Sequence, residues 1–480
     1  MRLLSFATIT AVAGVFACGS STGPGEPTPD HIKVTPAYVS LGSGGTQQLA
    51  VVVYDASNTV MPNAPLTYRS ADTTVAKVSS SGLVTAVGTG LTTITVSSPP
   101  ASASIVVTVS GVATVQLSPD SSFLIGPQTV QLTAVARDSL GNVVPTAPIG
   151  FLSRDTSVVT VSSAGLVTTH GAGSVYVIAF SGPAKDSVVV TALLARVNIG
   201  SSAVPFAVGR FSATRAYVTL EGDSAVQLLD LATPGTVGST IAVGQLPTSL
   251  AINNAGTRAY VGNQGSSSVT VINTGDGTVA GSIPINGTVL DVLVSPGDSL
   301  LFVGTDAGQL YVVRLATSTV TDSLPVSVTN TMVMRGDTSL FANEVFLGTV
   351  KEINLRTRQV VQTLPVGGRP QAMLLSSGGT TLYLANEIGQ LQFWDLTTGS
   401  LSSYIGLPGG GGYGMARSPA NGLLYVSTSY IGSRVLVIDP TAHQVVRTIG
   451  TGGTPRRIAF TPDGSVGIVA NEAGWVDYIK

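Results

Sequence analysis

The sequence predicts an all-β protein: two tandem β-sandwiches followed by a seven-bladed β-propeller closed by its own N-terminal strand. Three observations lead there. Charged residues make up 10% of the 480, while 56 Gly and 26 Pro punctuate the chain, a composition with no room for long solvated helices. One segment repeats at a constant offset of 83 residues. Beyond it, an aromatic or aliphatic anchor recurs every 39 to 43 residues, the period of propeller blades.

At the N-terminus, Arg2 precedes the apolar stretch Leu3 to Ala17, which runs into Cys18. It is shorter than the ~20 residues that span a bilayer but has the length of a secretory h-region. Residues 1–17 are therefore expected to be a signal peptide. Val15-Phe16-Ala17-Cys18 resembles the lipobox of bacterial lipoproteins, which implies cleavage before Cys18 and a lipid on that residue. Phe16 departs from the small or aliphatic residue usual there, and ordinary cleavage near Ala17 is the alternative. Residues 18–30, rich in Gly, Ser, Pro and Thr, read as a flexible tether. The expectation is export to the cell envelope, with membrane contact only through a lipid on Cys18.

Residues 31–110 and 111–193 form the repeat. Tyr68 matches Phe151, Asp72 matches Asp155, Asp55 matches Asp138, and Ser81-Gly82-Leu83-Val84-Thr85 matches Ala164-Gly165-Leu166-Val167-Thr168. Within each copy, runs such as Thr92-Thr93-Ile94-Thr95-Val96 alternate β-branched residues at period two between Gly, Asn and Pro, the mark of short strands. Gly82 and Gly165 are placed to permit a turn, and Asp72 and Asp155 to start one. The segments beginning Ser70-Ala71-Asp72 and Ser153-Arg154-Asp155 resemble the group 2 bacterial Ig-like domain, with Tyr68 and Phe151 where that family often has Trp. The resemblance implies Ig-like sandwiches of the kind that serve as stalks and adhesive modules on bacterial surfaces.

In residues 194–480 the anchors are Tyr217, Tyr260, Phe302, Phe341, Tyr383, Tyr425 and Ile468. One unit shows the plan, with strands expected at 247–252, 258–262, 267–273 and 279–285 separated by Asn/Gly and Gly-Asp-Gly turns. Tyr260-Val261-Gly262-Asn263 and Tyr383-Leu384-Ala385-Asn386 resemble the YVTN-type propeller repeat. The last unit ends on a third strand, Trp475 to Ile479, while Ala195 to Gly200 is a fourth strand without a unit of its own. Pairing the two removes an exposed edge.

Most chemistry is refused by the residues present. A net charge of −2 with no basic block excludes a nucleic-acid footprint. One Cys permits no disulfide framework. The three His, assigned to the tether (His31), the second sandwich (His170) and the third-to-fourth turn of blade six (His443), are too scattered for a triad, a metal cage or a haem. No metal, no cofactor and no enzymatic activity are expected. Gly409 to Gly414 spells G-x-G-x-x-G, but no helix follows to hold a pyrophosphate, so it reads as an inter-blade loop.

One constellation survives. The turns between second and third strands carry Glu221, Asp306, Glu344, Glu387 and Glu472, with Asn263, Asn343, Asn386 and Asn471 beside or in place of them. The inter-blade loops on the same face add Arg369, Arg456 and Arg457. Such residues suit solvated hairpin turns. They equally compose a ring at the channel mouth, in which Glu344, Glu387 and Glu472 accept and Arg369, Arg456 and Arg457 donate to a polar or anionic ligand, protein or glycan. The function expected is binding or adhesion at the cell envelope; the alternative is a propeller hydrolase resembling the sugar-lactone hydrolases.

Overall fold

The computed structural model describes residues 27–42, 45–137, 143–144, 147–429 and 433–480. The signal stretch, Cys18, most of the tether and Asp138 lie outside the described residues. Among the described residues every regular element is a strand, and no helix is long and apolar enough to cross a membrane. The chain divides into two compact units: Met1–Thr114 with Ala136–Pro148 and Ser181–Ala184, and Val115–Val135 with Ile149–Phe180 and Lys185–Lys480.

The repeat is visible strand by strand. Strands beginning at Tyr38, Thr46, Thr67, Ala76, Leu83, Gly90 and Ala101 recur 83 residues later at Ser121, Thr129, Gly150, Val159, Leu166, Gly173 and Ala184. In each copy a short strand pairs in parallel with the long C-terminal one, Tyr38–Gly42 with Ala101–Ser110 and Ser121–Ile125 with Ala184–Leu193. The first unit buries Val39, Val84, Ile94, Val96 and Val107 against one another. Gly82 has φ +81°, and a Cβ there would stand 3.0 Å from the Tyr68 ring; Gly165 has φ +84°, with Phe151 at 2.9 Å. Glycine is thus required twice over, by backbone conformation and by the aromatic ring seated on it. Asp72 and Asp155 start their turns by accepting the amide and hydroxyl hydrogens of Thr74 and Ser157. His31 corrects the sequence reading: it lies in the strand Pro29–Thr35 rather than the tether, opposite Tyr54, with the two rings stacked at 4.9 Å.

The remainder of the second unit contains seven four-stranded antiparallel sheets. We number them I to VII by their first strands: Pro205–Arg210, Pro247–Ile252, Val289–Val294, Met332–Arg335, Pro370–Leu375, Gly412–Arg417 and Pro455–Phe460. Sheets I to VI each use four consecutive strands, whereas VII takes its outer strand from Ala195–Asn198, which pairs antiparallel with Trp475–Ile479. Each sheet is open. First strands lie side by side in order, and that of VII lies beside that of I. Seven hydrophobic clusters join each sheet to the next, the last joining VII to I through Val197, Val218, Leu229, Ile468, Ala470 and Tyr478. Because both faces are covered, second strands read as continuous apolar runs, and the outer strand Thr236–Ala242 of sheet I, with little beyond it, is almost wholly exposed. Each buried anchor contributes roughly 1.5–3 kcal/mol.

The junction between the two ends of this sheet series is polar as well as apolar. Arg196 lies directly opposite Asp477 across the strand pair, donating to its Oδ1 at 2.6 Å. The same guanidinium donates to the Thr451 carbonyl at 2.6 Å and lies over the rings of Trp475 and Phe123, 4.4 and 4.8 Å from their centroids. Asp477 is fully buried, and its second oxygen accepts from the Trp475 indole. The second sandwich packs against the same corner: Ala172 and Leu193 share a core with Tyr425, Ile449 and Phe460, and the Gly450 amide donates to Ser174 Oγ at 2.9 Å. Removing one member of a buried pair leaves the other charge uncompensated, at about 3–5 kcal/mol. Arg196→Ala is therefore expected to lower the unfolding free energy of the second unit by that amount in urea titrations. A loss under about 1 kcal/mol would show the pair to be incidental.

Candidate functional site

The ends of the second strands are built by one repeated device. Asn343, Asn386 and Asn471 are completely buried. Each donates through its side-chain amide to a carbonyl of an inter-sheet loop, of Pro370, Gly367 and Gly452 respectively, at 2.8–2.9 Å. Each accepts a loop amide hydrogen in return, from Thr331, Arg369 and Thr454. Neither sequence reading of these Asn describes them: they are neither solvated turn residues nor exposed at a rim, but buried at the ends of strands. They clamp the loops, and a buried group left unpaired would cost about 1–3 kcal/mol.

The charged candidates separate in the same way. Glu344 is 3% exposed; it accepts from Lys351 Nζ and Thr349 Oγ1, both at 2.8 Å, and from the Ser327 amide. Burial alone would raise its carboxyl, but these bonds hold it below the ordinary value. Glu344 is therefore a satisfied buried anion and offers no acceptor at the surface. Arg456 makes the bidentate contact expected of it, but to this chain's own Glu472, at 2.5 and 3.0 Å, with its guanidinium 4.4 Å above the Tyr413 ring. Arg369 faces Glu387 at 3.4 Å, and its side chain is 53% exposed beside Phe346.

Arg457 runs inward. From the first strand of sheet VII it donates to the carbonyls of Asn330 and Gln371, each at 3.2 Å, which lie in the loop entering sheet IV and in the first strand of sheet V rather than in its neighbours. It therefore crosses the space that the first strands surround. Asn330 donates to Gln371 Oε1 at 2.9 Å, and Gln371 donates to Glu387 Oε1 at 2.6 Å, carrying the network out to the turn of sheet V. Close enough to feel the Arg457 charge is Asp291, on the first strand of sheet III, which sequence reasoning missed. Burial pushes its carboxyl up to about 6, against the opposing pull of Arg457. Burial also raises Glu221, helped by the Glu472 charge and offset by Arg456. The structure thus joins Arg457 and Glu387 in one network, to which Arg369 attaches through Glu387. Arg456 and Glu472 form a second group near Glu221, and Glu344 stands apart.

Sequence reasoning also missed three apolar side chains in the adjoining turns. Phe346 is 68% exposed, Leu347 64% and Ile388 54%. The signal for the first two was the apolar tripeptide Val345-Phe346-Leu347 inside an otherwise polar turn. Among the described residues no group of three or more His, Cys, Asp or Glu is placed to hold a metal ion.

Comparison with known proteins finds an Ig-like domain at residues 62–99, matching the family described as intimin, immunoglobulin-like domain. The chain is 33% identical over 171 residues to ice-binding protein 1 of Shewanella frigidimarina; the match takes in 35% of this chain and 19% of that protein. The chain therefore spans about a fifth of the length of that relative. In three dimensions it resembles Kuenenia stuttgartiensis hydrazine synthase, with a TM-score of 0.54 and 17% identity over 58% of this chain and 96% of that one. That likeness is one of fold.

Asp291 yields a pH signature whose sign is fixed. A carboxyl raised above its unfolded value of 3.8 binds its proton more tightly in the folded chain, so stability is lost as pH rises from about 4 to about 6. The loss is at most about 3 kcal/mol. Asp291→Asn is expected to match the native protein in urea titrations at pH 4 and to exceed its stability at pH 7; equal stability at both would refute the assignment.

Proposed function

We propose that this is an exported cell-envelope binding protein in which Ig-like stalk domains present a seven-bladed propeller of the YVTN type, probed by its partner at the face carrying Arg369 and Arg456. The sheet-to-sheet clusters running from I to VII and back to I support a propeller ring, with Ala195–Asn198 as its closing strand. The Ig-like match and the ice-binding relative support a surface role. A lipid on Cys18 would be the anchor, and inhibition of export would leave the precursor unprocessed.

The observation that carries the reading is the pairing of charges at the mouth. Glu344, Glu387 and Glu472 are each tied to a cation. A lactone hydrolase needs a carboxylate free to move a proton, and these three are not. A binding face needs only donors in reach, and Arg369, half exposed beside the apolar tips Phe346 and Ile388, supplies one.

Two measurements test this. Retention on immobilised dextran sulfate is expected to fall at least fivefold for Arg369→Glu and to stay unchanged for Arg356→Glu, which lies in a third-to-fourth turn at the other end of sheet IV; equal losses would mean nonspecific charge attraction. In cells fed a labelled fatty acid, the chain is expected to incorporate label and Cys18→Ser to incorporate none. Equal labelling of both would rule out that anchor.

A further inference from the structure

The first unit has a cleft of about 490 Å³ in which five of the twelve lining residues are Pro, Met61 stands among them, and Asp55 is the one ionisable group. We propose that this cleft binds an aromatic amine, with its ring laid on the proline and methionine side chains and its ammonium group on Asp55. The site goes beyond the binding face proposed above and does not depend on it.

The cleft is a product of turn chemistry at the end of the strand Ala50–Asp55. Asp55 Oδ1 accepts the amide hydrogens of Ser57 at 2.8 Å and Thr59 at 2.9 Å, and the Asp55 amide donates to the Thr59 carbonyl at 3.0 Å, so the chain reverses within five residues. The Met61 amide then donates to the Val53 carbonyl at 2.9 Å and holds the returning segment beside that strand. Pro62 occupies the second position of the next turn, which the Ala64 amide closes on the Met61 carbonyl at 3.3 Å. Pro29 stands opposite Asp55 across the strand pair, and Pro99 lies in the turn between Gly90–Ser98 and Ala101–Ser110. Proline has a fixed φ, so these walls have little backbone freedom to lose when a ligand enters.

The lining specifies the ligand class. A pyrrolidine ring has no N–H donor and presents C–H bonds, which suit the negative face of an aromatic ring. Where aromatic side chains form the receptor, proline is what they bind; here the two roles are exchanged. The Met61 thioether adds a sulfur that packs well against a ring edge. The charge requirement comes from Asp55. Both of its hydrogen bonds fall on Oδ1, which leaves Oδ2 open to a ligand. No Lys, Arg or His lines the cleft, so a carboxylate ligand would find only repulsion, whereas an ammonium gains a charge-assisted bond. The volume lies in the range of small-ligand pockets, ~300 Å³ and upward.

The test is calorimetric titration of the whole chain with four probes: tryptamine; tryptophol, which carries a hydroxyl in place of the ammonium; indole-3-acetate; and hexylamine, which has the ammonium without the ring. Saturable binding of tryptamine is expected, about tenfold or more tighter than that of the other three. This ranking is read on the native chain and needs no variant. Asp55→Asn keeps Oδ1 to hold the turn; it should weaken tryptamine by about tenfold and leave tryptophol unchanged. Asp72→Asn, which removes the same charge from another turn of the first sandwich, should alter neither, and Met61→Ala should weaken both indoles. Absence of saturation with tryptamine, equal affinity for tryptophol, indole-3-acetate or hexylamine, or full affinity in Asp55→Asn would overturn the proposal.

Discussion

The second unit depends on a single cross-strand ion pair. Sheets I to VI are closed in sequence, each made from strands that follow one another, and would form wherever the chain went next. Sheet VII is different, because its outer strand and its inner three come from opposite ends of the seven-sheet segment. Bringing them together costs the closure entropy of the whole intervening chain, which grows only slowly with length but is paid in full at this step. The apolar cluster of Val197, Val218, Ile468 and Tyr478 offsets that cost, and Arg196 with Asp477 fixes where the two strands meet. A fully buried carboxylate would be intolerable alone, so Asp477 specifies the register in which Arg196 stands opposite it, and a one-residue slip would put both charges on the wrong face.

That constraint also explains why the second sandwich is not a free module. Arg196 reaches Phe123, and Leu193 and Ala172 fill the core between sheets VI and VII. The strand that completes sheet VII follows Leu193 by two residues, too few for a hinge. Whatever the seven sheets bind is therefore held in fixed orientation to this sandwich.

Much of the fold was legible in the sequence because its determinants are local and repeated. The 83-residue offset lands on the first residue of seven strands, and the anchors from Tyr217 to Ile468 occupy the clusters between sheets. The pairing of Ala195–Asn198 with Trp475–Ile479 was legible because each end was one strand wrong. The site was less so. Periodicity says that Arg456 and Arg457 neighbour each other; it does not say that one turns to Glu472 at the rim while the other crosses to Asn330 and Gln371. Asp291 was invisible for the same reason: it stands in an apolar strand, Val289–Val294, and its meaning comes from Met332 and Arg457, distant in sequence but sharing its space. His31 shows the smaller error of judging a residue by the Pro-rich segment before it instead of by the strand it enters.

The carboxylates at the mouth illustrate how composition misleads about function. Three of the acidic residues at these turns are held by a cation of the same chain: Glu344 by Lys351, Glu472 by Arg456 and Glu387 by Arg369. A count of acidic turns therefore overstates the negative field that a partner meets. The cation left half exposed on this face is Arg369, beside the exposed Phe346. If this face binds a partner, a cation beside the exposed Phe346 would favour a ligand that brings apolar surface along with its charge over a small, strongly hydrated anion. Desolvating that ring returns free energy that a lone inorganic anion cannot collect.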